Sequence, residues 1–337
     1  MVNASADEYF DIDKVPLGTS EKRRIRAVEL PDGSWVDIPV IVVRGMMPGP
    51  VIYVGAGLHG DETTSVAIAA RLAHAMDPKQ LCGTLIAVPV QSPLAFRIQH
   101  RLPIDQFVKS PMDQNPSDVF HAFPGDPNGN LASKIAYILF DRLMSQAEYI
   151  FDVHTPTTGG RYAPFAFLPP TRCGGVVERC RELAMLFGAD FILANDKGMY
   201  VGDKNPHVVA AERGKVAFGI EVGEGGRLEP TEVERGIRGL HNIMRHLSMI
   251  PGKTEVFGRR EMIRTMTVIR SARAGMLQLC AALQDHVVRG QVVATITNVF
   301  GELIEEIVAP HDGPVVRITT FPTVPSNERV MQLGVGS

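Results

Sequence analysis

Cysteine is the first scarcity. The four cysteines, at positions 82, 173, 180 and 280, form no Cys-x-x-Cys pair. That spacing suits neither a disulfide framework nor a thiolate zinc site, and it points to a reducing cytoplasm. No surplus of basic charge exists either: the net charge is −3 and charged residues make up 21%. A nucleic-acid or anionic-membrane partner would need a positive footprint that is absent here. No apolar run reaches the length of a bilayer span. The start, Met1–Asp13, is polar and acidic, unlike a secretory signal. No lysine follows Lys253. What remains is a soluble 337-residue globular chain, 45% hydrophobic, with room for two domains. Such a chain suits a small-molecule substrate and is compatible with a homo-oligomer.

The chain is organised around Gly55–Glu62, Gly-Ala-Gly-Leu-His-Gly-Asp-Glu. The apolar run before it reads as a buried parallel strand, and the Ala-rich Thr63–Met76 after it reads as a helix. His59 and Glu62 therefore sit on a strand-to-helix turn, where open α/β sheets place ligands. An imidazole and a carboxylate three residues apart can share one metal ion, and that pair suits zinc. Taken alone, the stretch also fits a polar loop with a capping acid.

Two β-type runs, Arg24–Leu30 and Trp35–Val43, flank a Pro-Asp-Gly-Ser turn and predict an N-terminal hairpin. Thr84–Val90, Tyr149–Val153, Phe165–Leu168 and Val216–Ile220 predict further buried strands. Leu131–Gln146, Val176–Phe187 and the segment from Pro230 to Leu247 predict helices. This alternation predicts an α/β fold, a mostly parallel mixed sheet with helices on both faces. Residues 91–130 form a long loop rich in Pro, Asp and Asn; its Phe96, Phe107, Phe120 and Phe123 suggest the wall of a site. After Pro251-Gly252 only short β-type runs occur. The expected division is an α/β domain over 1–250 and a small all-β domain over 255–337. Turns in the latter resemble those of lipoyl- and biotinyl-carrier domains, in fold only, because the lysine that carries the cofactor is missing.

Three strand ends carry candidate chemistry: His59 with Glu62, His154, and Glu221. Two histidines and a glutamate with one open position form a known catalytic zinc arrangement. Asp152 could orient the His154 imidazole or be a solvated strand-end acid. Glu221 could take a proton from a zinc-bound water or could merely cap, and Glu224 competes for that role. His74, His241 and His246 read as packing or surface residues, and Met244 and Met276 as core filler. Arg161, Tyr162, Arg213 and Arg227 are candidate substrate contacts.

Gly57–Glu62, Asp152-Val-His-Thr155, Gly219-Ile-Glu-Val-Gly223 and Phe123–Gly129 together resemble the succinylglutamate desuccinylase/aspartoacylase family, relatives of the zinc carboxypeptidases. The resemblance covers nearly the whole chain. It implies one zinc per chain, held by His59, Glu62 and His154, with Glu221 as general base and acid. It also implies Arg101, in Pro93-Leu-Ala-Phe96…Arg101, as the group polarising the scissile carbonyl. The implied reaction is hydrolysis of a linear amide in a small N-acylated amino compound. A peptide carboxypeptidase and a non-catalytic metal-binding relative are the alternatives.

One motif departs from the family. Its Asp-x-Asn-Arg segment grips the substrate's α-carboxylate, and here the Asn-Arg pair falls on Phe120-His121 or on Asn115-Pro116. Neither placement supplies the arginine, and histidine cannot replace its bidentate fork. The expectation is either a substrate whose end is less anionic, or a clamp supplied by Arg161, Arg213 or Arg227.

Overall fold

The computed structural model describes residues 10–103, 118–258 and 260–336. Phe107 and the Asn115-Pro116 placement of the clamp lie outside the described residues.

The strands are β1 (Thr19–Glu29), β2 (Trp35–Arg44), β3 (Met47–Ala56), β4 (Cys82–Val88), β5 (Tyr149–His154), β6 (Gly160–Phe167), β7 (Phe191–Leu193) and β8 (Val216–Glu224). Beyond them run β9 (Glu261–Arg270), β10 (Gly275–Leu279), β11 (His286–Val287), β12 (Val292–Thr297), β13 (Leu303–Val308), β14 (Gly313–Thr319), β15 (Thr323–Val324) and β16 (Arg329–Gly336). The α-helices are α1 (Thr63–Ala75), α2 (Pro93–Arg97), α3 (Leu131–Tyr137), α4 (Val176–Phe187), α5 (Pro206–Glu212) and α6 (Pro230–His246). After α3 the chain continues through a π-turn, Ile138–Leu143, and a 3₁₀ turn, Met144–Gln146.

Twelve strands form one sheet in the order β1-β2-β4-β3-β5-β8-β6-β7-β9-β16-β14-β11. Its centre, β4-β3-β5-β8, is parallel. On one side β2 and β1 continue antiparallel. On the other side β6 lies antiparallel to β8. The sheet is thus mixed, with a parallel centre, rather than mostly parallel. The sequence signal misled because β6 is buried on both faces, as parallel strands usually are.

Side chains alternate across the central strands. Tyr53, Ile86 and Ile150 enter one apolar cluster, while Val54, Leu85 and Phe151 enter the other. Helices α1, α4 and α6 cover the second face through Ile68, Leu183 and Leu240, and α3 and α5 cover the first through Ile135 and Val209. Helix α6 is built for this role, with Val233, Leu240 and Ile243 at helical spacing on its buried side.

Residues 261–336 hold strands and turns only, and half of those strands continue the large sheet. Strand β9 pairs with β7, and Arg317–Thr319 of β14 pair with Gly160–Tyr162 of β6. Strands β13-β12-β10-β15 make a separate four-stranded sheet over an apolar cluster that includes Val293, Ile296 and Val330. Met244 is buried, but Met276, read from sequence as core filler, is 43% exposed because it sits on the outer face of β10. Among the described residues no helix is long and apolar enough to cross a membrane.

Candidate active site

The site is built at the carboxyl ends of β3, β5 and β8. Strand β3 ends at Ala56, and Gly57 turns the chain at φ 56°, a conformation that side chains adopt rarely. Gly60 must also be small: a Cβ there would lie 2.0 Å from the Ala95 carbonyl oxygen. These two glycines fold the turn back so that His59 and Glu62 both face β5. Strand β5 sends Phe151 and Val153 into the core beneath α1, so Asp152 and His154 point the opposite way. Strand β8 repeats the pattern with Phe218, Ile220 and Val222, which puts Glu221 on the same side, in register with His154.

His59, Glu62 and His154 are buried, and their ligand atoms all lie within 4.8 Å of one another. His59 Nδ1 is 2.5 Å and His154 Nδ1 3.2 Å from Glu62 Oε1. Glu62 Oε2 is buried without a hydrogen-bond partner. Burial opposes charge on Glu62, but His59 and His154 outweigh it and pull its pKa down to about 2. Two imidazoles around an ionised carboxylate with a spare oxygen fit a zinc ion.

Each imidazole is oriented from behind. His154 Nε2 donates to Asp152 Oδ2 at 2.8 Å, which leaves Nδ1, the nitrogen facing Glu62, with a lone pair able to ligate a metal. Asp152 Oδ1 accepts from Gln91 Nε2 at 2.8 Å, and Gln91 Oε1 accepts from Tyr53 Oη at 2.7 Å. All four residues of this chain are buried. His59 Nε2 meets Asp118 Oδ1 at 3.3 Å. Asp152→Asn is expected to weaken zinc binding about 10- to 100-fold, read by competition with a chelating dye. An unchanged affinity would make Asp152 a structural acid only.

Glu221 Oε2 is also buried without a partner, while Tyr200 Oη donates to Oε1 at 3.4 Å. Burial pushes the Glu221 carboxyl up to about 7. Glu224, the competing candidate, instead faces Arg161 and Arg227, at 3.8 and 3.9 Å. Arg101 donates to Thr157 Oγ1 at 3.2 Å. Burial works against its charge, but Glu62, Asp118, Glu221 and Asp61 together hold its pKa above the usual value.

Glu221 and Arg101 line a cleft of about 330 Å³. Tyr162 lines it as well, and Asp61 holds its rim by accepting from Thr158 N at 2.8 Å. Phe120 is buried with its ring edge-on to His154 at 5.4 Å. His121 is exposed and meets Asn205 Oδ1 at 3.1 Å, against Phe120 rather than among the residues lining the cleft. None of the three arginines expected to replace the clamp lines the cleft. Arg213 stacks on Phe140, 4.9 Å from its ring centroid, and donates to Val209 O, because α5 ends just before the start of β8, at the opposite end of that strand from Glu221. Arg161 pairs with Glu229 at 2.7 Å, and Arg227 is mostly exposed.

Sequence reasoning missed Asp118, Gln91, Tyr53 and Tyr200. Asp118 had a signal: it stands two residues before Phe120, where the Asp-x-Asn-Arg pattern has its aspartate. The others act through contacts between segments tens of residues apart.

Residues 48–247 match the succinylglutamate desuccinylase/aspartoacylase catalytic domain. An N-alpha-acetyl-L-2,4-diaminobutyric acid deacetylase from Halomonas elongata is 30% identical over 277 residues, covering 79% of this chain and 76% of that protein. Among solved structures, a succinylglutamate desuccinylase/aspartoacylase from Rhodobacter sphaeroides superposes with a TM-score of 0.81 at 23% identity, over 99% of both chains. The product-bound ectoine utilization protein EutE (DoeB) from Ruegeria pomeroyi gives 0.79 at 22% identity, over 96% of this chain and 98% of that one. The structures match in fold; the catalytic-domain match spans well over half of the chain and includes every strand end of the site. The chain belongs to the succinylglutamate desuccinylase/aspartoacylase family.

Proposed function

We propose that this protein is a zinc-dependent amidohydrolase that removes a short acyl group from a small N-acylated amino acid. The observation that carries the reading is the buried His59–Glu62–His154 cluster, with His154 in register with Glu221, which itself lines a cleft sized for a small molecule. Zinc in such a site supplies Lewis acidity and lowers the pKa of a water it binds. Glu221 accepts the proton of the attacking water and returns it to the departing amine nitrogen. Arg101 sets a fixed positive charge where the amide carbonyl oxygen becomes negative. The diaminobutyrate deacetylase relative supports an Nα-acetyl amino acid as the first substrate to try.

A panel of N-acetyl-L-2,4-diaminobutyrate, N-acetylaspartate and short peptides tests the reading. Acetate release from an acetyl amino acid, with no trimming of peptide C-termini, is expected. Faster release of C-terminal residues from peptides would make the protein a carboxypeptidase instead.

The pH profile follows from Glu221. The general base must be ionised, and burial raises it to about 7, so kcat/KM increases with pH as the proton leaves. A cation at the cluster favours the carboxylate, which places the rising limb between about 4.3, the ordinary glutamate value, and about 7. A profile flat from pH 4 to pH 8 would remove Glu221 from the proton transfer.

A further inference from the structure

The family clamp is missing at Phe120-His121, yet the cleft is not short of positive charge. Besides Arg101, it is lined by Arg270, Arg317 and Arg329, with Glu221 and Glu328 as the acids. The three additional arginines come from β9, β14 and β16, strands that carry none of the site's motifs.

Arg317 is the unusual one. It is 8% exposed, and among the described residues it forms no ion pair. Its Nη1 donates to Thr319 Oγ1 at 3.3 Å, and its guanidinium lies 5.9 Å from the centroid of the Tyr162 ring. Strand β14 brings it there by pairing with β6, Arg317 opposite Tyr162. Gly160 keeps the space open, since a Cβ at that position would lie 2.2 Å from Arg317 Nη2. Burial, with the neighbouring Arg329, acts against its charge and outweighs the favourable influence of Tyr162, Tyr200 and Glu221, none of which pairs with it directly. A buried guanidinium without a counter-ion is costly and is tolerated where another group supplies the anion.

We propose that Arg317, with Arg329 beside it, is the anion-binding end of the cleft and selects acyl amino compounds that carry a free carboxylate. The planar fork of Arg317 takes the carboxylate in two parallel hydrogen bonds, which moves the recognition lost at Phe120-His121 onto the C-terminal strands. An anionic end replaces the less anionic end expected from the motif alone. This assignment rests on the amidohydrolase reading, but binding tests it separately from turnover.

The test compares N-acetyl-L-2,4-diaminobutyrate with its α-carboxamide, in wild type, Arg317→Gln and Arg317→Lys. Wild type is expected to prefer the carboxylate. Arg317→Gln is expected to raise KM for the carboxylate roughly 30-fold or more. Its kcat, and its kinetics on the carboxamide, are expected to stay within about twofold, which a folding defect would not allow. Arg317→Lys keeps the charge without the fork and is expected to raise the carboxylate KM roughly tenfold; it carries the test if the Gln variant does not fold. Calorimetry with L-2,4-diaminobutyrate and its carboxamide gives the same comparison without chemistry. Carboxylate-selective binding that Arg317→Gln abolishes, with no turnover of any substrate, would uphold the subsite and reject the reaction. Equal KM for carboxylate and carboxamide in wild type, or an unchanged carboxylate KM in either variant, would overturn the proposal.

Discussion

Glu221→Gln is expected to bind zinc and substrate with wild-type affinity and to lose about 10²- to 10⁴-fold in kcat. The glutamine amide matches the carboxylate in shape, so β8 keeps its register with β5 and the Tyr200 contact keeps an acceptor. What it cannot do is accept a proton. KM is expected to move little, because the interaction removed belongs to the transition state. A fall of only two- to threefold would give the proton transfer to another group. Glu224 is a weak heir, since its carboxylate lies in an ion-pair network with Arg161 and Arg227.

His154→Ala is expected to abolish zinc binding and activity together. The substitution leaves only His59 and Glu62 of the three-residue cluster. The fold is expected to survive, because Asp152 keeps its hydrogen bond from Gln91 and the strand pairing of β5 is unaffected. Thermal unfolding separates the two effects. Saturating zinc stabilises wild type by about 2.7 kcal/mol at a hundredfold excess over Kd and leaves the variant unmoved. Zinc-dependent stabilisation of His154→Ala would remove His154 from the ligand set.

The parts of this protein legible in its sequence are those written locally. His59 and Glu62 stand on one glycine-framed turn, and His154 and Glu221 end apolar runs, so the neighbours of each residue announce its place. The shape of the sheet was less legible. Strand β6 reads as buried on both faces, and nothing local says that it runs antiparallel to β8 or that it also pairs with β14. That last pairing is why Arg317 was not read as a site residue. It lies 155 positions from its partner Tyr162 in a segment without a motif of its own. Arg161, Arg213 and Arg227 were nearer the motifs in sequence and proved to be engaged elsewhere. Gln91 and Tyr53 escaped for the same reason: an amide and a phenol gain their role only when three strands bring them into line behind Asp152.

The central claim is that a zinc ion at His59, Glu62 and His154 is required for hydrolysis of an N-acyl amino acid. It is tested most directly by acetate release from N-acetyl-L-2,4-diaminobutyrate before chelation, after chelation and after zinc is restored, with metal content measured at each stage. About one zinc per chain, activity lost with the metal and recovered in proportion to the zinc returned is the predicted result. Undiminished acetate release from protein shown to hold no metal would contradict it.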